Sequence, residues 1–201
     1  MGAARHIMET FQKELAGKKD ANYNYKALMR ERLLKYRKEK RSVVKVKKPT
    51  NLPRARALGY KAKKGFVIAR VRVRKGSGTH KRPVAGRRPK RMGTLKKTRK
   101  KSIQSIAEER AAKKFKNCEV LNSYFLGEDG KMHYFEVILV DVLAPEILAD
   151  KEKNLLSGRH HKGRAERGKT SAGRKGRGLR GKGKGFEKAR KSKKHTKNRI
   201  K

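Results

Sequence analysis

The sequence predicts an α/β (α+β) fold: a small antiparallel sheet with flanking helices, plus long basic extensions that gain order only on an anionic surface. Three observations predict it. NCEVLNSYFLGEDGKMHYFEVILVDVL (117–143) reads as two strands around a tight turn. FVIARVRVR (66–74) alternates apolar and basic residues with the period of a strand. KSIQSIAEERAAKKF (101–115) repeats its apolar residues at helical spacing.

Taken in chain order, two helices come first. Ile7, Met8, Phe11 and Leu15 form one apolar stripe, ended near Gly17; Tyr25, Leu28, Met29, Leu33 and Tyr36 form a second. Both stripes are suited to pack on a core. In the strand Phe66–Arg74, Val67, Ala69, Val71 and Val73 share one face. Arg70, Arg72 and Arg74 share the other, about 6.6–6.8 Å apart. No acid lies between Glu39 and Glu108 to pair with them, so this row is expected to meet phosphates. The next helix places Ile103, Ile106 or Ala107, Arg110 or Ala111, and Phe115 at helical spacing; either Ser105 with Glu108 or Ser102 one turn earlier caps it. In the hairpin, Asp129-Gly130 is the turn signal, because both central residues must tolerate positive φ. The run Val137–Val140 implies a strand buried on both faces. Cys118 reads as a small strand residue.

The chain divides into N-terminal helices (1–44), an α/β core with basic loops (45–150) and a Gly/Lys/Arg-rich tail (151–201). Charge follows these divisions. The total is +44. Residues 40–107 hold 25 basic residues and no acid, and residues 151–201 carry a net +18. Residues 108–150 are net −4 and the most core-like. From Ser157 the tail has 9 glycines in 45 residues, with Leu179, Phe186 and Ile200 its few large apolar side chains. Such a composition predicts no independent shape. A chain so basic repels itself unless a polyanion neutralises it, and its pI favours nucleic acid over membrane. No apolar run is long enough for a signal peptide or a membrane span. One cysteine excludes an intrachain disulfide.

Two glycine motifs invite an enzymatic reading. GRAERGKT (163–170) fits the phosphate-loop pattern G-x-x-x-x-G-K-[ST]. GRGLRG (176–181) fits G-x-G-x-x-G. A working phosphate loop needs a strand before it and a helix after it. SGRHHK precedes the first motif, and the glycine density of SAGRKGRG opposes a helix behind it. Both therefore read as products of composition. His6, His80, His133, His160, His161 and His195 offer no metal-ligand spacing; His160 and His161 would point apart in an extended chain. Glu108 and Glu109 diverge on their helix, which favours salt bridges over acid–base chemistry. No catalytic residue, metal or cofactor is expected. The function classes left are an RNA-binding structural protein and a DNA-packaging protein, which phosphate contacts alone do not separate.

Long ordered strings resolve the choice. ARALGYKAKKGFVIARVRVRKG (55–76), HKRPVAGRRPKR (80–91), IQSIAEERAA (103–112), VLNSYFLGEDGKMHYFEVILVD (120–141) and RGKTSAGRKGRGLRGKGKGFEKAR (167–190) resemble the e-type ribosomal protein fifteen family of the large subunit, shared by archaea and eukaryotes. AGRRPKR and the GKGKG tail give it an archaeal flavour. Leu52-Pro53 replaces a common Asp-Lys pair, and NLLSGRHHK replaces a tryptophan-containing stretch. The resemblance implies a structural, non-enzymatic, cytoplasmic and ribosome-bound protein whose extensions run between rRNA helices. It implies partnership with large-subunit rRNA and neighbouring large-subunit proteins, with no membrane and no homo-oligomer. RNA contact would fall to Arg54, Arg56, Tyr60, Lys61, Lys63 and Lys64, then to Arg70, Arg72 and Arg74. It would continue through Lys81, Arg82, Arg87, Arg88 and Arg91. In the tail it would fall to Arg167, Lys169, Arg174, Lys175, Arg177 and Arg180.

Overall fold

The computed structural model of the chain describes residues 2–20, 22–76, 81–94, 98–99, 101–181, 183 and 186. The expectations for His80, His195, Ile200 and the tail from 187 onward fall outside those residues.

Helix α1 (Ala3–Ala16) ends where expected, at Gly17 with φ 63°, a left-handed conformation that costs glycine nothing. A two-residue ladder, β1 (Lys19–Asp20) with β2 (Tyr23–Asn24), leads into α2 (Tyr25–Lys38). The Asn24 carboxamide caps α2 by accepting the Ala27 N–H at 3.1 Å. Strand β3 (Val43–Val46) and the short helix α3 (Leu52–Ala57) follow. Then come β4 (Phe66–Arg74), α4 (Ile103–Lys114), β5 (Cys118–Glu128), β6 (Met132–Asp141), α5 (Pro145–Leu148) and α6 (Ser171–Gly176). The main sheet is wholly antiparallel, in the order β3-β4-β6-β5. Ile68 stands opposite Ile138 and Val71 opposite Phe135.

Helices cover both faces of this sheet. On one, Ala69, Val71, Val73, Val120, Val137 and Leu139 pack under Ala107 and Ala111 of α4. The valine face expected of β4 is thus core. On the other, Tyr124, Leu126, Tyr134 and Ile138 pack under Phe11, Tyr36 and Ala55 of α1, α2 and α3. Tyr134 through Val140 are buried, as the apolar run of β6 implied. Each large apolar side chain sealed this way contributes about 1.5–3 kcal/mol. The second roof changes the arginine row of β4. Arg70 and Arg72 lie half-buried beside the end of α2, and only Arg74 is exposed.

Local chemistry decides three other expectations, correcting two of them. Neither Asp129 nor Gly130 takes positive φ. Instead the Asp129 carboxylate closes the turn, accepting the N–H groups of Lys131 (2.8 Å) and Met132 (2.7 Å). At α4 the cap is Ser102, whose hydroxyl oxygen accepts the Ser105 N–H at 3.2 Å. The third concerns the tail. Residues 154–161 form 3-10 turns and Ser171–Gly176 a helix, where composition predicted no shape. Leu156, Ala165, Thr170 and Ala172 are buried. A few small side chains suffice because this stretch docks on a surface the sheet already provides. Its glycines let backbone approach backbone: a Cβ on Gly173 would stand 2.5 Å from the Gly168 Cα.

Candidate nucleic-acid interface

Most of the described carboxylates are engaged within the fold. Glu39 pairs with Arg70, whose Nε donates at 3.1 Å and whose guanidinium carbon sits 4.1 Å from the Tyr36 ring centroid. Glu39 is thus the acid expected to be out of reach of the arginine row. Asp150 accepts from Lys63 at 2.7 Å and Lys61 at 3.0 Å, which hold its pKa well below the usual carboxylate range. Asp129 binds Arg37 at 2.9 Å. Burial pushes the Asp129 pKa up, but two backbone N–H groups and Arg37 outweigh it and bring it to about 2. Glu109 pairs with Lys101 at 2.6 Å, a salt bridge of the kind expected.

Two carboxylates are fully buried, and they do something else. Glu108 on α4 accepts from Ser123 Oγ at 2.5 Å and from the Thr170 hydroxyl. Glu136 on β6 accepts from Thr50 N (3.0 Å), Thr50 Oγ1 (2.6 Å) and the Tyr124 hydroxyl. Each therefore ties a basic segment to the sheet: Thr170 belongs to the tail, and Thr50 opens the stretch before α3. Burial raises the pKa of Glu108 despite the two hydroxyl donors.

The predicted contact residues sort into three groups. Some are fixed in the fold. Tyr60 packs edge-on against Phe66, with centroids 5.8 Å apart. Lys61, Lys63 and Arg70 are ion-paired, and Arg72 donates to the Arg37 and Lys40 carbonyls at 3.4 and 3.3 Å. A second group clamps tail carbonyls. Arg167 donates to His160 O (2.6 Å) and Lys162 O (2.5 Å), and Lys169 to His160 O (2.6 Å). Arg177 reaches the carbonyls of Arg167 and Gly168 at 3.5 Å, and Arg180 donates to Ser171. The third group is exposed and without an ion-pair partner among the described residues: Arg54, Arg56, Lys64, Arg74, Lys81, Arg82, Arg87, Arg88, Arg91, Arg174 and Lys175.

Sequence reasoning passed over further cations. Arg41, Arg110, Lys113 and Lys114 line a groove of about 560 Å³ between the start of β3 and the end of α4. The only signal was the Lys pair closing the α4 pattern. Arg164 was also missed.

The enzymatic motif does not assemble a nucleotide site. No strand precedes Gly163, although a short helix does follow Thr170, contrary to the expectation from glycine density. The Lys169 ammonium is engaged by a carbonyl and the Thr170 hydroxyl by Glu108. His160 and His161 do not point apart. Their 3-10 turn brings the rings to 4.2 Å, yet no group of three metal-ligating side chains forms among the described residues. Cys118 is half-buried, its thiol pushed up to about 11 by burial and then by Asp141. No described helix is long and apolar enough to cross a membrane.

Fold and surface together define a class: a small α+β protein whose cations far outnumber the carboxylates that could pair with them. Residues 8–196 match the ribosomal protein family described as Ribosomal L15. Two similar proteins are each called large ribosomal subunit protein eL15. That of Methanospirillum hungatei is 55% identical over 176 residues, covering 88% of this chain and 89% of the relative. That of Methanococcoides burtonii is 56% identical over 171 residues, covering 85% and 86%. The chain belongs to the Ribosomal L15 family.

Proposed function

We propose that this protein is a structural constituent of the large ribosomal subunit that binds and stabilises rRNA through many phosphate contacts, without catalysis. The carrying observation is the sorting of charge. The fold engages most of its described carboxylates and leaves Arg54, Arg56, Lys64, Arg74, Lys81, Arg82, Arg87, Arg88, Arg91, Arg174 and Lys175 exposed. Unpaired cations at this density repel one another unless a polyanion lies among them. The sheet and its helices (45–150) act as the platform. The N-terminal helices (1–44) roof one face, and the tail (151–201) carries cations to a second surface. Neighbouring large-subunit proteins complete the surroundings of a ribosome-bound, cytoplasmic protein.

Sedimentation of cell extract through a sucrose gradient at low salt tests this. The protein should travel with the large subunit; recovery at the top of the gradient overturns the reading. With purified protein, the logarithm of RNA affinity should fall linearly with the logarithm of salt concentration. Each phosphate neutralised adds about 0.9 to that slope on duplex and about 0.7 on single strands.

A further inference from the structure

A cleft of about 700 Å³ opens where the edge strand β5 meets the tail. We propose that it seats a single nucleotide turned out of its RNA helix, a specific contact distinct from general phosphate neutralisation. The inference rests on the RNA-binding reading above and deepens it. Three features of the cleft point to this ligand.

The first is charge without a partner. Arg164 lines the cleft, and among the described residues its guanidinium makes no hydrogen bond; its Nε is sealed from solvent and unsatisfied. Glu119 and Glu108 act on it only at a distance, and its burial works against its charge. Arg174 and Arg180 line the same cleft, and no carboxylate does so among the described residues. Guanidinium groups around one hollow match a phosphate by charge and by fork geometry.

The second is an apolar surface beside the cations. Leu121 and Leu179 line the same cleft, each half-buried. A surface that met only a regular helix backbone would need no such floor. A base or ribose turned toward it would bury apolar area that duplex RNA keeps stacked.

The third is a break in the sheet. The register of β5 against β6 slips between Val120 and Asn122. Regular alternation would send Leu121 and Asn122 to opposite faces, yet both line the cleft. The Asn122 Oδ1 accepts the Ser123 N–H at 3.0 Å, which orients the carboxamide and leaves its two N–H donors for a base edge. The volume lies within the range of about 300–1,000 Å³ usual for small-ligand sites.

The full chain tests this in a competition assay at fixed salt. The probes are two RNA hairpins of equal length, one fully paired and one with a single bulged nucleotide, together with inorganic phosphate. The bulged hairpin should bind about tenfold more tightly, the scale of one base contact. Arg174→Ala/Arg180→Ala/Asn122→Ala should abolish that preference; Arg174 and Arg180 are exposed, so the fold survives their loss. Arg87→Ala/Arg88→Ala, which removes as much charge elsewhere, should weaken both hairpins alike and keep the preference. The chain has no tryptophan, so Leu179→Trp adds a single fluorophore, which the bulged hairpin should quench more than the paired one. Equal binding of both hairpins by the native chain overturns the cleft assignment while leaving general RNA binding intact. So does saturation of the cleft by millimolar phosphate with no loss of bulge preference. Failure of both hairpins to bind at all removes the RNA reading itself.

Discussion

The two basic regions are attached to the sheet by the same device, built on opposite faces from neighbouring residues. Ser123 and Tyr124 are adjacent in β5 and point to opposite sides. Ser123 donates to Glu108, which also takes the tail's Thr170; Tyr124 donates to Glu136, which also takes Thr50 before α3. The two latches differ in strength. Glu136 has three donors, one of them a backbone N–H, and Arg70 within electrostatic reach. Glu108 has two hydroxyls, with the Arg164 charge nearby but unbonded. A segment inside the fold, between α2 and β4, is held by the richer latch; a segment near the chain's end is held by the poorer one. The tail is therefore the part of the molecule most able to exchange its own contacts for others.

The largest effect should come from breaking the stronger latch. Glu136→Ala removes the acceptor of the buried Tyr124 hydroxyl and of the part-buried Thr50 Oγ1 and N, at about 1–3 kcal/mol each. Thermal unfolding followed by circular dichroism should show a loss of about 3 kcal/mol or more. That is a large share of the stability of any small domain. Glu108→Ala should cost less, about 2 kcal/mol, and should act locally. Amide hydrogen exchange should speed up across Lys169–Arg177 while β4 and β6 stay protected. If both variants loosened the whole chain equally, the two latches would not be distinct units.

Much of this arrangement was readable beforehand, and the unread parts share a cause. β4, α4 and the hairpin strands have internal apolar periodicity, so local pattern sufficed. β3 was missed because Val43–Val46 is four residues among lysines, and its pairing with β4 is a non-local fact. The tail's docking was missed because Ala165, Thr170 and Ala172 are buried only against another element. Glu108 read as a cap partner or salt-bridge former and Glu136 gave no signal; only the fold shows them at zero exposure. The exposure of most described basic residues between β4 and α4 was legible from composition. Arg70 and Lys63 were not, because Glu39 and Asp150 reach them only across the fold.

Arg70 sharpens the comparison by a smaller step. Its Nε and Nη2 both donate to Glu39 Oε1, and it stacks on Tyr36. Lysine keeps the charge but loses the planar fork and the stacking. Arg70→Lys should cost about 1 kcal/mol in thermal unfolding, without releasing the tail by hydrogen exchange. Accelerated exchange in α6 after this change would show that the two faces communicate through the sheet.

The smallest effect tests the weaker latch by its protonation. In the unfolded chain Glu108 titrates at an ordinary glutamate value, whereas burial raises its pKa in the folded protein. Between the two values the folded state binds more protons. The contribution of this group to stability is therefore present below the ordinary value and declines as pH rises through the raised one. Gln at this position places an amide where the carboxylate stood. Its oxygen still accepts one hydroxyl, its N–H donates to the other hydroxyl's oxygen, and it does not titrate. Glu108→Gln should thus change stability by less than about 1 kcal/mol near neutral pH and should flatten the decline above the ordinary glutamate pKa. Parallel urea titrations of native and variant protein across that range give the comparison directly. An unchanged pH slope in the variant would mean that Glu108 stays ionised when folded, held by Arg164, and that the tail's latch is an ion pair after all.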